Sequence, residues 1–163
     1  MCIRDSSKTH VLNWTWARHE TTAAYTELLR PIAAPLIAVT DGGQGAQSAI
    51  HHCWPTTRIQ RCLVHAQRTV RRHTTSNPRT DAGKTIYRLA LKLTGITDLD
   101  HATEWVTHLH EFSHTYRVWM NEKTTIRDPA SGAYSRVYTH QRVRAAYQSL
   151  LSLHRRDLLF TYL

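Results

Sequence analysis

Along residues 10–16 the side chains Val11, Asn13 and Thr15 alternate with Leu12, Trp14 and Trp16. A period of two built from branched and aromatic residues predicts a strand, with Leu12, Trp14 and Trp16 on one face. Thr21 or Thr22 can then cap a short amphipathic helix with Ala24, Tyr25, Leu28 and Leu29 on one side, stopping near Pro31, which lacks an amide donor. Residues 35–40 form a continuous apolar run ending in Asp41-Gly42-Gly43. That pattern predicts a strand buried on both faces, with Asp41 at its carboxyl end. A second helix follows over residues 45–54, with Ala46, Ala49, Ile50 and Cys53 at helical spacing and Pro55 as its stop. Residues 58–62 read as a short strand and residues 63–73 as a helix. Strands alternating with helices in this order predict an α/β unit with parallel pairing.

Beyond Pro78 the pattern is helical. Asp81 is placed as the cap of a helix with Ile86, Leu89, Ala90 and Leu93 inward and Gly95 at its close. A longer helix starts near Asp98 or Asp100 and aligns Ala102, Trp105, Leu109, Phe112, Tyr116 and Trp119 in a core stripe. The turn formers Asp128-Pro129 and Ser131-Gly132 predict a loop over residues 126–135. A last helix from about Thr139 uses Val143, Ala146, Leu150 and Leu153, and the apolar run at residues 158–163 is read as leading into further coding sequence. Residues 1–7 match neither period and are read as a scar or disordered tail outside the fold.

The chain of 163 residues is 41% hydrophobic, enough for one ordinary core, and no apolar run approaches the ~20 residues that span a bilayer. A membrane protein is excluded on this pattern. Lys and Arg outnumber Asp and Glu 21 to 12, a formal +9, and there are 12 histidines. Such a balance points to a polyanionic partner. The 3 cysteines, Cys2, Cys53 and Cys62, cannot all pair with one another and follow no secretory signal, which fits a reducing cytoplasm.

An aspartate at the carboxyl end of a parallel strand lies where open α/β sheets place functional groups. The glycines behind Asp41 permit a tight turn and the approach of a metal or phosphate, although Asp-Gly after a strand is also a common turn. The succession Val39-Thr40-Asp41-Gly42, helix, Trp54-Pro55, Ile59-Gln60-Arg61-Cys62-Leu63-Val64-His65 resembles the mutator-like transposases of prokaryotic insertion sequences. The resemblance runs from Lys8 onward. It implies an internal fragment of a bacterial, cytoplasmic DNA transposase. Its fold would be a partial ribonuclease H-like sheet, third to fifth strands with helices, over residues 8–76, then an all-helical insertion over residues 77–163, with the core resuming later.

Within that resemblance Asp41 is the second of three catalytic carboxylates, a ligand for Mg²⁺ or Mn²⁺ in DNA strand cleavage and transfer. Carboxylates are hard oxygen ligands suited to these ions, and two ions about 3.5–4 Å apart serve in-line displacement. The first Asp and final Glu of the triad are expected outside the chain. Apart from Asp41, the remaining acids, Glu20 among them, mostly fall at predicted caps or helix surfaces. Transposon ends and target DNA are the implied partners, with a homo-oligomer expected of the complete protein.

Cys62 and His65 form a signature for which three readings stand: a structural or site-supporting pair, half of a zinc site, or a Cys-His dyad. From Arg58 to Lys92 the many cations face a single acid, Asp81. Arg68, Arg71, Arg72, Arg88 and Lys92 are the candidate DNA contacts. Two further functions compete with the transposase: a non-catalytic nucleic-acid-binding module on the same basic surface, and a ribonuclease H-like nuclease of other specificity. The count of carboxylates converging on Asp41 separates them.

Overall fold

A computed structural model describes residues 10–163 and the backbone of Cys2–Asp5. The chain divides into two compact units, one comprising the residues up to Cys62 together with Leu158–Tyr162, the other Leu63–Asp157.

In the first unit, strand β1 (Cys2–Asp5) pairs antiparallel with β2 (His10–Trp14). The sequence pattern set residues 1–7 aside, and the pairing of Cys2–Asp5 corrects that reading. A ladder is made by backbone groups and requires no side-chain period. Helix α1 (Thr22–Leu29) begins where Thr21 Oγ1 accepts from the Ala24 amide at 3.3 Å, and it buries Leu28 and Leu29. Strand β3 (Ile37–Thr40) leads into helix α2 (Gln44–Cys53), which buries Ala46, Ala49 and Ile50. Trp54 closes that helix, buried, with its indole N–H donating to Ile32 O at 3.1 Å.

Strand β4 (Arg58–Arg61) pairs with β3 in parallel, as the alternation predicts, in the register Ile37↔Arg58 to Thr40↔Arg61. Two expectations fail here. Val39 of β3 is 65% exposed, and Leu36, just before the strand, is 89% exposed, so the apolar run is not buried on both faces. Nor does β2 join β3: among the described residues the strands form separate two-stranded sheets. With a single parallel neighbour the strand is incompletely covered: Val39 meets solvent, while Ile37, Ala38 and Thr40 are half-buried.

The terminal segment completes this unit. Leu158, Leu159 and Thr161 are buried, and Gln60 of β4, 4% exposed, holds them in place. Its Nε2 donates to Leu159 O at 2.8 Å, while its Oε1 accepts from the amide and hydroxyl of Thr161 at 2.9 and 2.6 Å.

The second unit contains α3 (Leu63–Thr74), α4 (Asp81–Lys92), α5 (Leu99–Met120) and α6 (Gln141–Arg155). The division thus falls after Cys62 instead of at residue 76, because α3 packs on α6 and α4. The inward positions expected of α4 are met: Ile86, Leu89, Ala90 and Leu93 are all buried. Its cap is Thr80, whose Oγ1 accepts from Gly83 N at 3.1 Å, and Asp81 is the first helical residue. Asp98 caps α5, accepting from His101 N at 2.8 Å. Ala102, Trp105, Leu109 and Phe112 of the α5 stripe are buried, while Tyr116 and Trp119 are half-buried.

The region is not all-helical. Strands β5 (Lys123–Arg127) and β6 (Tyr134–Tyr138) form an antiparallel hairpin where the turn signals predicted a loop. Those signals do describe its tip: Asp128 accepts from Ala130 N at 2.7 Å and Ser131 N at 3.1 Å. The flanking strands carry no period-two signal in the sequence, because each is five residues long and largely exposed and no apolar face repeats.

Candidate functional site

Asp41 follows the last paired residue of β3. The Cys62 amide donates to Thr40 O at 2.7 Å, so the parallel ladder continues to the point where the chain turns. The turn is held by short polar contacts: Asp41 Oδ1 accepts from Gly43 N at 3.1 Å and Thr40 Oγ1 from Gly42 N at 3.2 Å. Gly42 has φ +94°, a conformation open to residues without a Cβ. Gly43 then caps α2, with no side-chain bond to the helix amides. Asp41 is therefore an exposed carboxylate fixed by an Asx turn at a strand's carboxyl end, as expected from its sequence context.

Its surroundings were not expected. The Tyr25 phenol is raised above its ordinary pKa, first by burial, then by the negative charges of Glu20 and Asp41 and by a hydrogen bond with Glu20. Glu20 and Asp41 thus lie around one tyrosine, a neighbourhood that the sequence pattern did not predict. The approach depends on Gly45: a Cβ there would stand 2.6 Å from Glu20 O, so a side chain would push the segment before α1 away from α2. On the other side, the Arg61 guanidinium lies against Gly42 in the space a Cβ would fill. No local signal marks either neighbour, since both arise from packing between segments distant in sequence.

Carboxylate oxygens are the donors Mg²⁺ and Mn²⁺ prefer, and Mg²⁺ is commonly held by one or two carboxylates plus water and substrate phosphate. Asp41 fits that role in kind. Among the described residues, no group of three or more His, Cys, Asp or Glu is arranged to hold a metal ion.

Cys62 ends the first unit as a half-buried free thiol, and His65 lies in the first turn of α3 in the second. The His65 Nδ1 is buried without a hydrogen-bond partner. Arg68, Arg71 and Arg72 are exposed on α3, at the i, i+3, i+4 spacing that puts them on one face. Arg88 and Lys92 are exposed one turn apart on α4. Arg142 supports the end of α3, donating through Nε to His73 O at 2.8 Å and through Nη2 to Arg72 O at 3.0 Å.

The sequence profile described as Transposase, Mutator family, matches residues 3–128, most of the chain. The chain belongs to the Mutator family of transposases. The match includes Asp41, the Gln60-Arg61-Cys62 segment and the arginines of α3. It begins within β1, which agrees with counting that strand as part of the fold. No curated protein and no solved structure matches this transposase chain. No helix among its described residues is long and apolar enough to cross a membrane.

Proposed function

We propose that this Mutator-family chain serves metal-dependent DNA strand cleavage and transfer, with Asp41 as a ligand of Mg²⁺ or Mn²⁺. The observation that carries the reading is the place of Asp41: an exposed carboxylate held by its own turn at the carboxyl end of a parallel strand. When bound there, a divalent ion supplies Lewis-acid activation of a phosphodiester. The chain's own contribution is to hold the carboxylate, with Tyr25 and Glu20 beside it and Arg61 braced on Gly42.

A two-ion site needs more anionic ligands than the described residues bring to Asp41, because unscreened divalent cations repel each other strongly. The whole activity therefore requires further carboxylates, and the 163-residue chain alone is expected to be inactive on DNA. A ribonuclease H-like core, bacterial origin and cytoplasmic location belong to the same proposal. The exposed arginine face of α3 and the Arg88-Lys92 face of α4 would contact phosphates without reading sequence.

Mn²⁺ titration of the chain, followed calorimetrically or by electron paramagnetic resonance, tests the site. Asp41→Asn should lose the binding seen in the unaltered chain while retaining its circular dichroism. Equal binding by both would remove Asp41 from the metal site. The alternative is a non-catalytic nucleic-acid-binding module on the same basic surface, favoured by the exposed arginines of α3. It would show salt-dependent DNA binding with no divalent-ion binding at all.

A further inference from the structure

The hairpin of β5 and β6 segregates its charges. In the observed register, Lys123 faces Tyr138, Thr125 faces Arg136 and Arg127 faces Tyr134. These alternate pairs share one side of the ribbon, whereas Thr124 with Val137 and Ile126 with Ser135 share the other. Every rung on the first side therefore carries one cation, two rungs also carry a tyrosine, and neither strand contains an acid. The second side carries no charge.

The carboxylates at either end of the ribbon are engaged elsewhere. Glu122 contacts His140 Nε2 at 3.0 Å, and Asp128 is bound to the amides of its own turn. Arg144 adds a further cation at the base, its guanidinium 4.0 Å from the Tyr138 ring centre and its Nη1 donating to Asn121 Oδ1 at 2.6 Å. The base is also fixed by Trp119 stacked on His140 at 3.5 Å, while all of β5 and residues Tyr134, Ser135 and Arg136 are exposed.

Like charges on neighbouring rungs repel, and no carboxylate of either strand neutralises them; Lys123 Nζ lies 5.1 Å from the Tyr138 ring centre and Arg127 Nε donates to Gly132 O at 3.4 Å, contacts that leave both charges in place. We propose that this face of the hairpin is a contact surface for duplex DNA, docking its cations on phosphates and its tyrosines on the groove wall. The inference rests on the DNA-transposition reading. Same-face residues of a strand repeat every ~6.8 Å, about two steps of the 3.4 Å axial spacing of charges on one DNA strand. The B-DNA major groove admits a two-stranded ribbon, whereas the deep, narrow major groove of A-form RNA does not.

The test measures duplex-DNA affinity against salt for the full chain, for a K123Q/R127Q/R136Q variant and for an R68Q/R71Q/R72Q variant. The hairpin variant should flatten the log–log slope by roughly 2–3, as loss of three phosphate contacts requires. A photo-crosslinking side chain at Tyr134 should capture DNA, and the same group at Ile126 on the neutral side should not. Duplex RNA should compete weakly. Because the crosslinking chains keep every cation, the result does not depend on the folding of the substituted variant. An unchanged slope in the hairpin variant, equal capture at both positions, or equal competition by RNA would each overturn the proposal while leaving the transposase reading intact. No binding of DNA by the unaltered chain would overturn both.

Discussion

The guanidinium of Arg61 rests on the backbone of Gly42, in the volume that any Cβ at position 42 would occupy. The parallel register sets Arg61 beside Thr40, one residue before Asp41, so a long side chain at the end of β4 reaches the turn after β3. An always-charged group is thereby seated at the strand end that presents the proposed metal ligand.

Replacing Gly42 by Ala should destabilise the chain by about 1–3 kcal/mol, because a non-glycine residue is strained at φ +94° and the Arg61 head must also move. Gly43→Ala should be near neutral, since a Cβ there meets only Asp41 Oδ1 at 3.5 Å. Urea unfolding of the two variants measures the difference. Equal midpoints would mean that the turn relaxes without cost.

Gln60 is the buried link between β4 and the terminal segment. Gln60→Leu keeps approximate size but leaves the Thr161 amide and hydroxyl and the Leu159 carbonyl without the partner they have now. With ~1–3 kcal/mol for each buried group left unsatisfied, a loss of several kcal/mol is expected. Limited proteolysis should then cut within residues 158–163 well before the rest of the chain. A protected terminus in the variant would show that apolar burial of Leu158 and Leu159 holds the segment unaided.

The Asp98 carboxyl lies below its ordinary pKa because the His101 amide and then the His101 side chain bond to its charged form. A lowered folded-state pKa contributes stability that is complete above the unfolded value of 3.8 and is lost as pH falls through the folded value. Asp98→Ala should therefore lower the melting temperature at neutral pH, and its gap from the unaltered chain should close in strong acid. Melting followed by circular dichroism from pH 7 to about pH 2 checks this. A gap that stays constant across that range would mean the cap works without its charge.

The helices and the strand leading into Asp41 were legible from local pattern. The spacing of Ile86, Leu89, Ala90 and Leu93 specifies which side of α4 is apolar, and burial of that side follows wherever it packs. Likewise, an apolar run broken by Asp41-Gly42-Gly43 specifies a strand with a turn at its end. Tertiary structure decided what surrounds that turn: Glu20 brought in by the bare backbone of Gly45, Arg61 laid on Gly42, and Thr161 bonded to Gln60 across 101 positions. It also decided that residues 123–138 form a ribbon with its cations on one side, because cross-strand neighbours are set by register. Periodicity reports the environment of a residue along its own element, whereas these contacts depend on which distant backbone comes to lie beside it.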